Sequence, residues 1–310
     1  MTLKKPFLST LLASITLMSV IACQPQVSTD LSAVSDTNVS NSSDDVNALS
    51  VSQIKAKYKL NYKINSSKNK LTKLGNPTNA LSRKVVDLRP EFQQVYDQGN
   101  LGSCTAFSMT KGLREFLLKK SGKWVKLSAL EFYYKEREID GTVSEDAGSL
   151  MDTGMNVLKN HGVALDADWP YNIAKFAVEP PAAVQAKAAQ YKVGCIGQLD
   201  TLEKVKNVLD AGYPVAFGTK VPSSFMSPVN GMIAKPNPDT DTIEGGHAVL
   251  AVGYDDTKKA IIMRNSWGNF WGKAGYAYLP YEYWSTGYVM DSWSAAEAGS
   301  SWEGCSTAKK

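Results

Sequence analysis

The sequence predicts an α+β fold of two lobes, and two observations support that prediction. Behind Cys104, apolar residues recur every three or four positions from Ala106 to Leu117, which indicates a helix. From residue 215 onwards, apolar runs bounded by turn residues indicate strands at 215–217, 248–254, 260–264 and 276–279. The chain has 310 residues, of which 43% are hydrophobic, and this is enough for one large domain with a substantial core.

The helical lobe contains recognisable helix starts and ends. Ser103 is predicted to cap the helix that begins at Cys104, and Lys119, Lys120 and Gly122 are typical of its end. Further helix starts are predicted at Ser128–Glu131, which has the pattern of a capping box, at Ser149 and at Asp200–Glu203. The first two of these helices are expected to reach Arg137 and to end near Asn160.

Cys104 lies in the segment Asp97–Phe107 and has the setting of a reactive thiol. A thiol attacks a carbonyl carbon as the thiolate, and a free cysteine is mostly protonated at neutral pH. The unpaired backbone N–H groups and the dipole at a helix start lower the pKa of such a thiol. An imidazole partner can hold the thiolate as an ion pair and later protonate the leaving amine.

The chain contains two histidines. His161 is predicted to end a helix that Gly162 closes, which is a structural role. His247 stands at the start of an apolar, strand-like run, 143 residues after Cys104 (247 − 104). That separation falls within the roughly 130–150 residues typical of one class of cysteine peptidase. Asn265 follows His247 by 18 residues (265 − 247) and can orient the imidazole.

These segments together resemble the papain family of cysteine peptidases, and they occur in that family's order. The resemblance rests on Asp97–Phe107, Gly245–Val249 and Asn265–Gly272, and it extends from about Val85 to Trp293. It implies a papain-like fold with a helical left lobe, a β-barrel-like right lobe and the active site in the cleft between them.

The resemblance implies a catalytic role for four residues. Cys104 would form a thioester with the substrate, His247 would act as acid and base, and Asn265 would orient His247. The side-chain amide of Gln98 would join the backbone N–H of Cys104 in stabilising the oxyanion. Trp267 would shield the hydrogen bond between His247 and Asn265 from water. No cofactor and no metal are expected.

The resemblance also implies how a peptide or protein substrate is bound. Gly148 and Ser149 correspond to the positions that bind the substrate backbone, and Trp267 is a further contact. Met151 and Ala248 correspond to walls of the pocket for the second residue before the scissile bond, so an apolar preference is expected there. Two other activities remain open. One is a catalytically silent envelope lipoprotein that binds peptides or a partner, and the other is an acyl transferase in which an amine replaces water.

The sequence departs from the family pattern beside the nucleophile. Most relatives have a cysteine where this chain has Leu101 and a tryptophan where it has Thr105. This variant resembles the bacterial branch of the family, and Thr105 is expected to change the local packing. Cys195 and Cys305 are either a disulfide or two free thiols, because the sequence does not give the distance between their Cα atoms.

The N-terminus predicts export and lipid anchoring. Residues 1–22 contain two lysines followed by the uncharged stretch Pro6–Ala22, which is short for a membrane span and typical of a signal peptide. The junction before Cys23 resembles a bacterial lipobox, which implies cleavage there and lipidation of Cys23. Residues 23–50 are predicted to form a disordered tether. The expected location is the bacterial envelope, at the outer membrane or cell surface.

Residues 51–84 are rich in lysine and contain no acid. Tyr58, Leu60, Tyr62 and Ile64 alternate with polar residues, which predicts one short strand. Two roles stay open for this segment, namely a short propeptide that crosses the active-site cleft and a basic continuation of the tether that favours anionic lipid surfaces. The remaining boundaries are 85–304 for the peptidase domain and 305–310 for a C-terminal tail.

The charge of the chain bears on its partners. The formal net charge of +4 is small and evenly spread, which argues against a nucleic acid partner. The expected partners are therefore a peptide or protein substrate and, through Cys23, a membrane. The protein is expected to be a monomer.

Overall fold

The computed structural model describes residues 49–63, 83–300, 302 and 305. The predicted signal peptide, Cys23 and the predicted tether up to residue 48 lie outside the described residues, as do positions 64–82 of the basic segment. Within the described ranges, no helix combines the length and the apolar character needed to cross a bilayer.

The helix that carries Cys104 begins where the sequence predicts. It is α-helical over Cys104–Ala106, π-helical over Phe107–Arg114 and α-helical again over Glu115–Lys120, and it is called the nucleophile helix below. Gly122 follows at a φ of 73°, a left-handed conformation that glycine adopts without steric cost. The other α-helices in the described part of the chain are Val51–Lys57, Ala129–Asp140, Met151–Asn160, Ala182–Ala188, Leu202–Asp210 and Glu282–Ser285.

Two of the predicted helix caps are confirmed, one of them in part. The hydroxyl of Thr201 accepts a hydrogen bond from the backbone N–H of Lys204, which caps the helix Leu202–Asp210. The Ser128 hydroxyl likewise accepts from the N–H of Glu131 at 3.1 Å. The carboxylate of Glu131 contacts His161 instead of completing a capping box. A tertiary contact has therefore replaced the local one.

Two other serines do not cap the helices that follow them. The hydroxyl of Ser103 lies 2.7 Å from the hydroxyl of Tyr171 and makes no capping bond. The hydroxyl of Ser149 donates to Asp140 at 2.9 Å, and Leu150 is the residue that precedes the helix. Both predicted caps are wrong because these hydroxyls find partners in neighbouring elements.

Seven strands form one antiparallel sheet. Its order is β2-β7-β3-β4-β5-β6, with β1 paired to β4. Among the described strands no pairing joins β2 to β6, so the sheet is open where the resemblance implied a barrel-like lobe. The strands are β1 Val85–Asp87, β2 Cys195–Gln198, β3 Val215–Pro222, β4 Ile243–Asp255, β5 Ala260–Arg264, β6 Tyr276–Pro280 and β7 Val289–Ala296.

The strand that carries His247 is longer than the sequence predicts. β4 begins at Ile243, so His247 lies inside the strand, paired with Thr219 of β3, and not at its start. The ladder continues through the two glycines before His247 because their backbones pair with Lys220 and Val221. A rigid, paired strand on both sides of His247 fixes the position of its side chain.

Cys195 and Cys305 form a disulfide, with their Cα atoms 5.2 Å apart. This distance is within the usual range for the bond. Cys195 opens β2, an edge strand that the sequence did not predict. The bridge ties the end of the described chain to the sheet.

The nucleophile helix packs directly on β4. The hydroxyl of Ser108 donates to the carbonyl of Val249 at 2.8 Å. Gly112 lies so close to Leu250 that an added Cβ would stand 2.9 Å from its Cδ2 atom. This close approach sets the distance between the start of the helix and the middle of β4.

Candidate active site

Cys104 and His247 meet where the nucleophile helix crosses β4. Cys104 is the first residue of the helix, and both side chains are fully buried. The backbone N–H of Ala248, the residue after His247, donates a hydrogen bond to the Cys104 sulfur. The thiol and the imidazole therefore belong to one site, although they are far apart in sequence.

The imidazole of His247 is oriented by Asn265. Its Nε2 lies 2.8 Å from Oδ1 of Asn265, and that oxygen also accepts the backbone N–H of Ser266 at 2.8 Å. Because an amide oxygen can only accept, Nε2 carries the proton of the neutral ring. Nδ1 has no hydrogen-bond partner among the described residues, so it is the nitrogen available to a thiol proton.

Trp267 covers this pair. Its ring stacks on the imidazole of His247, with centroids 4.8 Å apart and planes 24° from parallel. Trp267 is itself 1% exposed, because Tyr58 stacks on it at 5.0 Å and Trp271 meets its edge. The hydrogen bond between His247 and Asn265 is consequently kept away from solvent.

Gln98 is held in a fixed orientation beside the nucleophile. Its Oε1 accepts from the Ser266 hydroxyl at 2.6 Å, and its Nε2 donates to the carbonyl of Leu101 at 2.9 Å. The second hydrogen of Nε2 is left for another acceptor. Ser266 was not assigned a role from the sequence, although it stands within the motif that contains Asn265 and Trp267.

Burial determines the protonation states of Cys104 and His247 while the site is covered. It raises the pKa of the Cys104 thiol to about 12, against the opposing effect of the Ala248 N–H. It lowers the pKa of His247 to about 4, and the bond to Asn265 opposes that shift. Both effects favour the neutral thiol and the neutral imidazole while the site is closed to water.

Residues 49–63, called the cleft segment below, run between the helical lobe and the sheet. The backbone N–H of Tyr62 donates to the carbonyl of Gly246 at 3.1 Å, and that of Lys63 donates to Ser149 at 3.3 Å. The first of these acceptors belongs to β4 and the second to the helical lobe. The segment thus bridges the two lobes over the catalytic residues.

The predicted substrate-binding residues line the path of the cleft segment. Gly148 lies so close to Asn61 that a Cβ on it would stand 1.7 Å from the Asn61 carbonyl oxygen. Tyr58 stacks on Trp267, and its hydroxyl donates to the Trp267 carbonyl at 2.8 Å. Met151, Ala248 and Tyr62 belong to one buried apolar cluster. The cleft segment therefore contacts Gly148, Ser149 and Trp267. Met151 and Ala248 share a buried apolar cluster with Tyr62 of that segment.

The short strand predicted from Tyr58 to Ile64 is largely wrong up to residue 63, and Ile64 lies outside the described residues. The segment begins with the helix Val51–Lys57, and among its described residues only Asn61 forms a β-bridge, with Gly246. Ser50 and Gln53 make a complete capping box at the start of that helix. The apolar side chains of the segment reach the domain individually, and not as the edge of a sheet.

Comparison with known proteins identifies the family. The model of the family described as papain family cysteine protease matches residues 82–293. The chain belongs to the papain family of cysteine peptidases. An uncharacterized peptidase C1-like protein of Acanthamoeba polyphaga mimivirus is 35% identical over 65% of this chain and 68% of its own length. A cathepsin L-like proteinase of Fasciola hepatica is 31% identical over 65% of this chain and 62% of its own length.

A solved papain-family structure has the same fold. Xylellain, a cysteine protease from Xylella fastidiosa, superposes with a TM-score of 0.72 at 32% identity, covering 78% of this chain and 97% of its own. The predicted two-lobe α+β papain fold is confirmed by this match. The chain is a cysteine peptidase.

Two acidic residues accept hydrogen bonds from the neighbours of Cys104, one of them from Thr105, which stands where most relatives have a tryptophan. Thr105 donates its hydroxyl to Glu136 at 2.9 Å, and burial raises the pKa of that carboxyl well above its ordinary value. Gly102, two residues before Cys104, donates its backbone N–H to Asp146 at 2.9 Å. Asp146 also accepts from the hydroxyl of Tyr133, and no sequence motif marks it for this role.

Other predicted residues lie away from the site. His161 follows the helix Met151–Asn160, and its Nε2 contacts Glu131 at 2.6 Å, which is the structural role predicted for it. Cys23, the predicted lipidation site, is outside the described residues. Within the described part of the chain, no group of three or more His, Cys, Asp or Glu side chains could hold a metal ion.

Proposed function

We propose that this papain-family peptidase is an endopeptidase of the bacterial envelope, made in a latent form that the cleft segment keeps inactive. Cys104, His247, Asn265 and Gln98 are assigned the catalytic roles. The observation that supports this most strongly is the hydrogen bond between His247 and Asn265, which leaves Nδ1 unpaired in the same buried site as the Cys104 thiol.

The reaction proceeds in two steps from this arrangement. His247 Nδ1 takes the proton of Cys104, and the sulfur attacks the carbonyl carbon of the scissile bond. The C–N bond breaks as the imidazolium returns the proton to the leaving amine, and a thioester remains. A water molecule, deprotonated by His247, then attacks the thioester and releases the acid and the Cys104 thiol.

Charge develops on the carbonyl oxygen in both steps. The free N–H of Gln98 and the backbone N–H of Cys104 are the donors proposed for it. The Leu101 carbonyl supports this role because it can only accept, and it therefore fixes which end of the Gln98 amide carries the hydrogens. Removing one oxyanion donor typically lowers kcat about 10²- to 10³-fold.

Latency is supported by what the cleft segment covers. Tyr58 lies on Trp267, Asn61 on Gly148, and Tyr62 next to Ala248. The covered site favours the neutral thiol, whereas attack requires the thiolate. Of the two roles that the sequence left open for residues 51–84, these contacts favour the propeptide for residues up to 63.

Export and anchoring are supported by the sequence alone. The proposal is that residues 1–22 are removed, that Cys23 is lipidated, and that residues 24–48 connect the lipid to the domain at the outer membrane or cell surface. Mass spectrometry of the mature N-terminus tests it. A lipid-modified Cys23 is expected, and an unmodified N-terminus at Cys23 or an intact residue 1 would contradict it.

The peptidase mechanism is tested by labelling with an epoxide that alkylates papain-type thiolates, together with hydrolysis of a fluorogenic peptide. The protein is expected to be labelled on Cys104 and to hydrolyse the peptide when the cleft segment leaves the site, and Cys104→Ala is expected to do neither. Equal labelling of Cys104→Ala would refute the assigned nucleophile. Labelling without hydrolysis, with the peptide transferred to an added amine, would indicate an acyl transferase instead.

A further inference from the structure

A deep slot beside Cys104 is filled by Tyr62. This side chain is 3% exposed, and its ring lies against the backbone of Gly218. A Cβ at Gly218 would stand 2.3 Å from Cζ of Tyr62, so the slot has its depth because no side chain occupies that position. Met151 and Ala248 belong to the same buried apolar cluster as Tyr62. The slot accommodates a flat ring within an apolar cluster, and the acid Asp152 lies close enough to raise the pKa of that ring's hydroxyl.

Asp291 of β7 closes the far end of this slot. The hydroxyl of Tyr62 donates to Oδ1 of Asp291 at 2.7 Å. The indole N–H of Trp293 donates to Oδ2 at 3.1 Å, and the backbone N–H of Gly218 also donates to the carboxylate. These bonds hold the carboxylate in place with one oxygen facing the group that fills the slot.

We infer that Asp291 makes this slot selective for a substrate residue with a phenolic hydroxyl, so that tyrosine is preferred over phenylalanine and over aliphatic residues. The inference rests on the proposed peptidase mechanism and on the cleft segment standing in the place of a substrate. Phenylalanine or leucine would fill the slot but leave Oδ1 without its donor. A site built to bond a substrate hydroxyl discriminates strongly against the analogue that lacks it.

A carboxylate could also receive an arginine or lysine, but the surroundings favour a neutral ring. The ring belongs to an apolar cluster, and the group seated against Asp291 in the structure is a phenol, with Asp152 as a second acid nearby. Burial also raises the pKa of Asp291, which weakens its attraction for a cation. The apolar preference expected from Met151 and Ala248 is thus modified by a residue on a strand that the sequence did not predict.

The test compares fluorogenic peptides that differ only at the second residue before the cleaved bond, which is tyrosine, phenylalanine, leucine or arginine. The full-length protein can be used, because the cleft segment competes equally with every peptide and cancels from the ratio of kcat/KM values. The tyrosine peptide is expected to be about 10- to 100-fold better than the phenylalanine peptide, the effect of one hydrogen bond to a charged group.

Two variants of Asp291 and one control variant complete the experiment. In Asp291→Ala and Asp291→Leu the ratio of tyrosine to phenylalanine is expected to fall to about one, while the phenylalanine peptide is still cleaved. Glu203→Gln, which replaces an exposed acid of the helix Leu202–Asp210, should leave the ratio unchanged. A wild-type ratio of one or less, an arginine peptide better than tyrosine, or an unchanged ratio in both Asp291 variants would overturn the inference.

The failure of the proposed function is distinguishable from the failure of this inference. Epoxide labelling of Cys104 in the same samples reports the nucleophile independently of the slot. Competitive binding of the same peptides to full-length Cys104→Ala reports the slot without any turnover. If no peptide is hydrolysed, the binding ratio of tyrosine to phenylalanine still decides the role of Asp291, with about 10-fold or more expected and a ratio of one contradicting it.

Discussion

Tyr58 and Tyr62, four residues apart, hold the cleft segment by different means. Tyr58 stacks flat on Trp267, with planes 14° from parallel, and donates to a backbone carbonyl. Tyr62 enters a slot and donates to the carboxylate of Asp291 at its end. Tyr58 therefore covers the residues that orient His247, whereas Tyr62 fills space that a substrate side chain would need.

This difference indicates which end of the cleft segment contributes more to keeping the cleft closed. Lys57 and Lys59, which flank Tyr58 in the sequence, are exposed. The hydroxyl of Tyr58 also lies 3.3 Å from Asp97, which pairs with Lys57 at the surface. Tyr62 instead has a charged acceptor inside the protein. We therefore expect the Tyr62 end to supply most of the free energy that keeps the cleft closed.

The largest effect is expected when Tyr62 is replaced by alanine. Truncation of a buried aromatic side chain typically costs about 3–5 kcal/mol. Even about 3 kcal/mol of weaker closure would raise the rate at which full-length protein is labelled on Cys104 by roughly 100-fold. The epoxide labelling rate of Tyr62→Ala measures this directly at neutral pH.

Tyr58→Ala is the matched control for this comparison. It removes a ring of the same size that is also buried but stacks on Trp267 and donates to a neutral carbonyl, so a smaller increase in labelling is expected. If Tyr58→Ala opened the site more than Tyr62→Ala, the cover over Trp267 would be the dominant restraint and the comparison would be reversed. If neither variant labelled faster than the natural protein, the cleft segment would not be the restraint.

A smaller effect is expected when only the hydroxyl groups are removed. Tyr62→Phe loses a hydrogen bond to a carboxylate, worth about 1.5–3 kcal/mol, whereas Tyr58→Phe loses one to a neutral carbonyl, worth about 0.5–1.5 kcal/mol. The labelling rate should therefore rise about 10-fold or more in Tyr62→Phe and only a few-fold in Tyr58→Phe. Equal rates in the two variants would show that Asp291 contributes no more than an ordinary acceptor.

The catalytic residues were assigned because short motifs of this sequence resemble those of the papain family. Cys104 opens a helix, and Asn265 and Trp267 lie in one turn-rich segment. Gln98 lies six residues before Cys104. The structure brings Cys104, His247 and Asn265 into one site, and their catalytic roles stay predictions.

Asp291 could not be predicted because its role depends on strand pairing. β7 pairs with β3, and this sets Asp291 directly opposite Gly218 at the end of the slot. Nothing near Asp291 in the sequence marks it.

The helix Val51–Lys57 was not predicted for a different reason. The alternation that starts at Tyr58 indicates a strand, whereas the local signal for the helix is the capping-box pattern of Ser50 and Gln53.

The smallest effects are expected from the ion pairs that attach the cleft segment to the domain. Four lysines of the segment each contact an acid of the domain at 2.6–3.4 Å. All four lysine side chains are 31–46% exposed, so each pair contributes only about 0.2–1 kcal/mol. The pairs are Lys55–Glu244, Lys57–Asp97, Lys59–Asp146 and Lys63–Asp140.

Salt should weaken these pairs together. Raising the ionic strength from about 0.05 to about 1 M shortens the screening length several-fold. The labelling rate of the full-length protein should then rise about 3- to 10-fold at neutral pH, and Lys55→Gln alone should raise it by no more than about fivefold. Lys204→Gln, which removes a pair with Asp200 outside the cleft, is the control and should change nothing.

The pH range of this salt effect follows from two of the pairs. The bond from Lys55 lowers the pKa of Glu244 below its ordinary 4.5, so this contribution is present above about pH 4.5 and is lost as the pH falls through the lowered value. Burial is the largest single effect on Lys57 and opposes its charge, but the interactions with Asp97 and Tyr58 together outweigh burial and raise the pKa above its ordinary 10.5. That contribution is present below about pH 10.5 and is lost above it.

The salt-induced increase in labelling, measured as a ratio at each pH, should therefore persist between these limits and weaken below about pH 4.5, as Glu244 loses its charge. A salt effect that did not weaken there would mean that the pair of Lys55 and Glu244 does not contribute to it. A salt effect that was absent at pH 7 would leave Tyr58 and Tyr62 as the restraints on the segment.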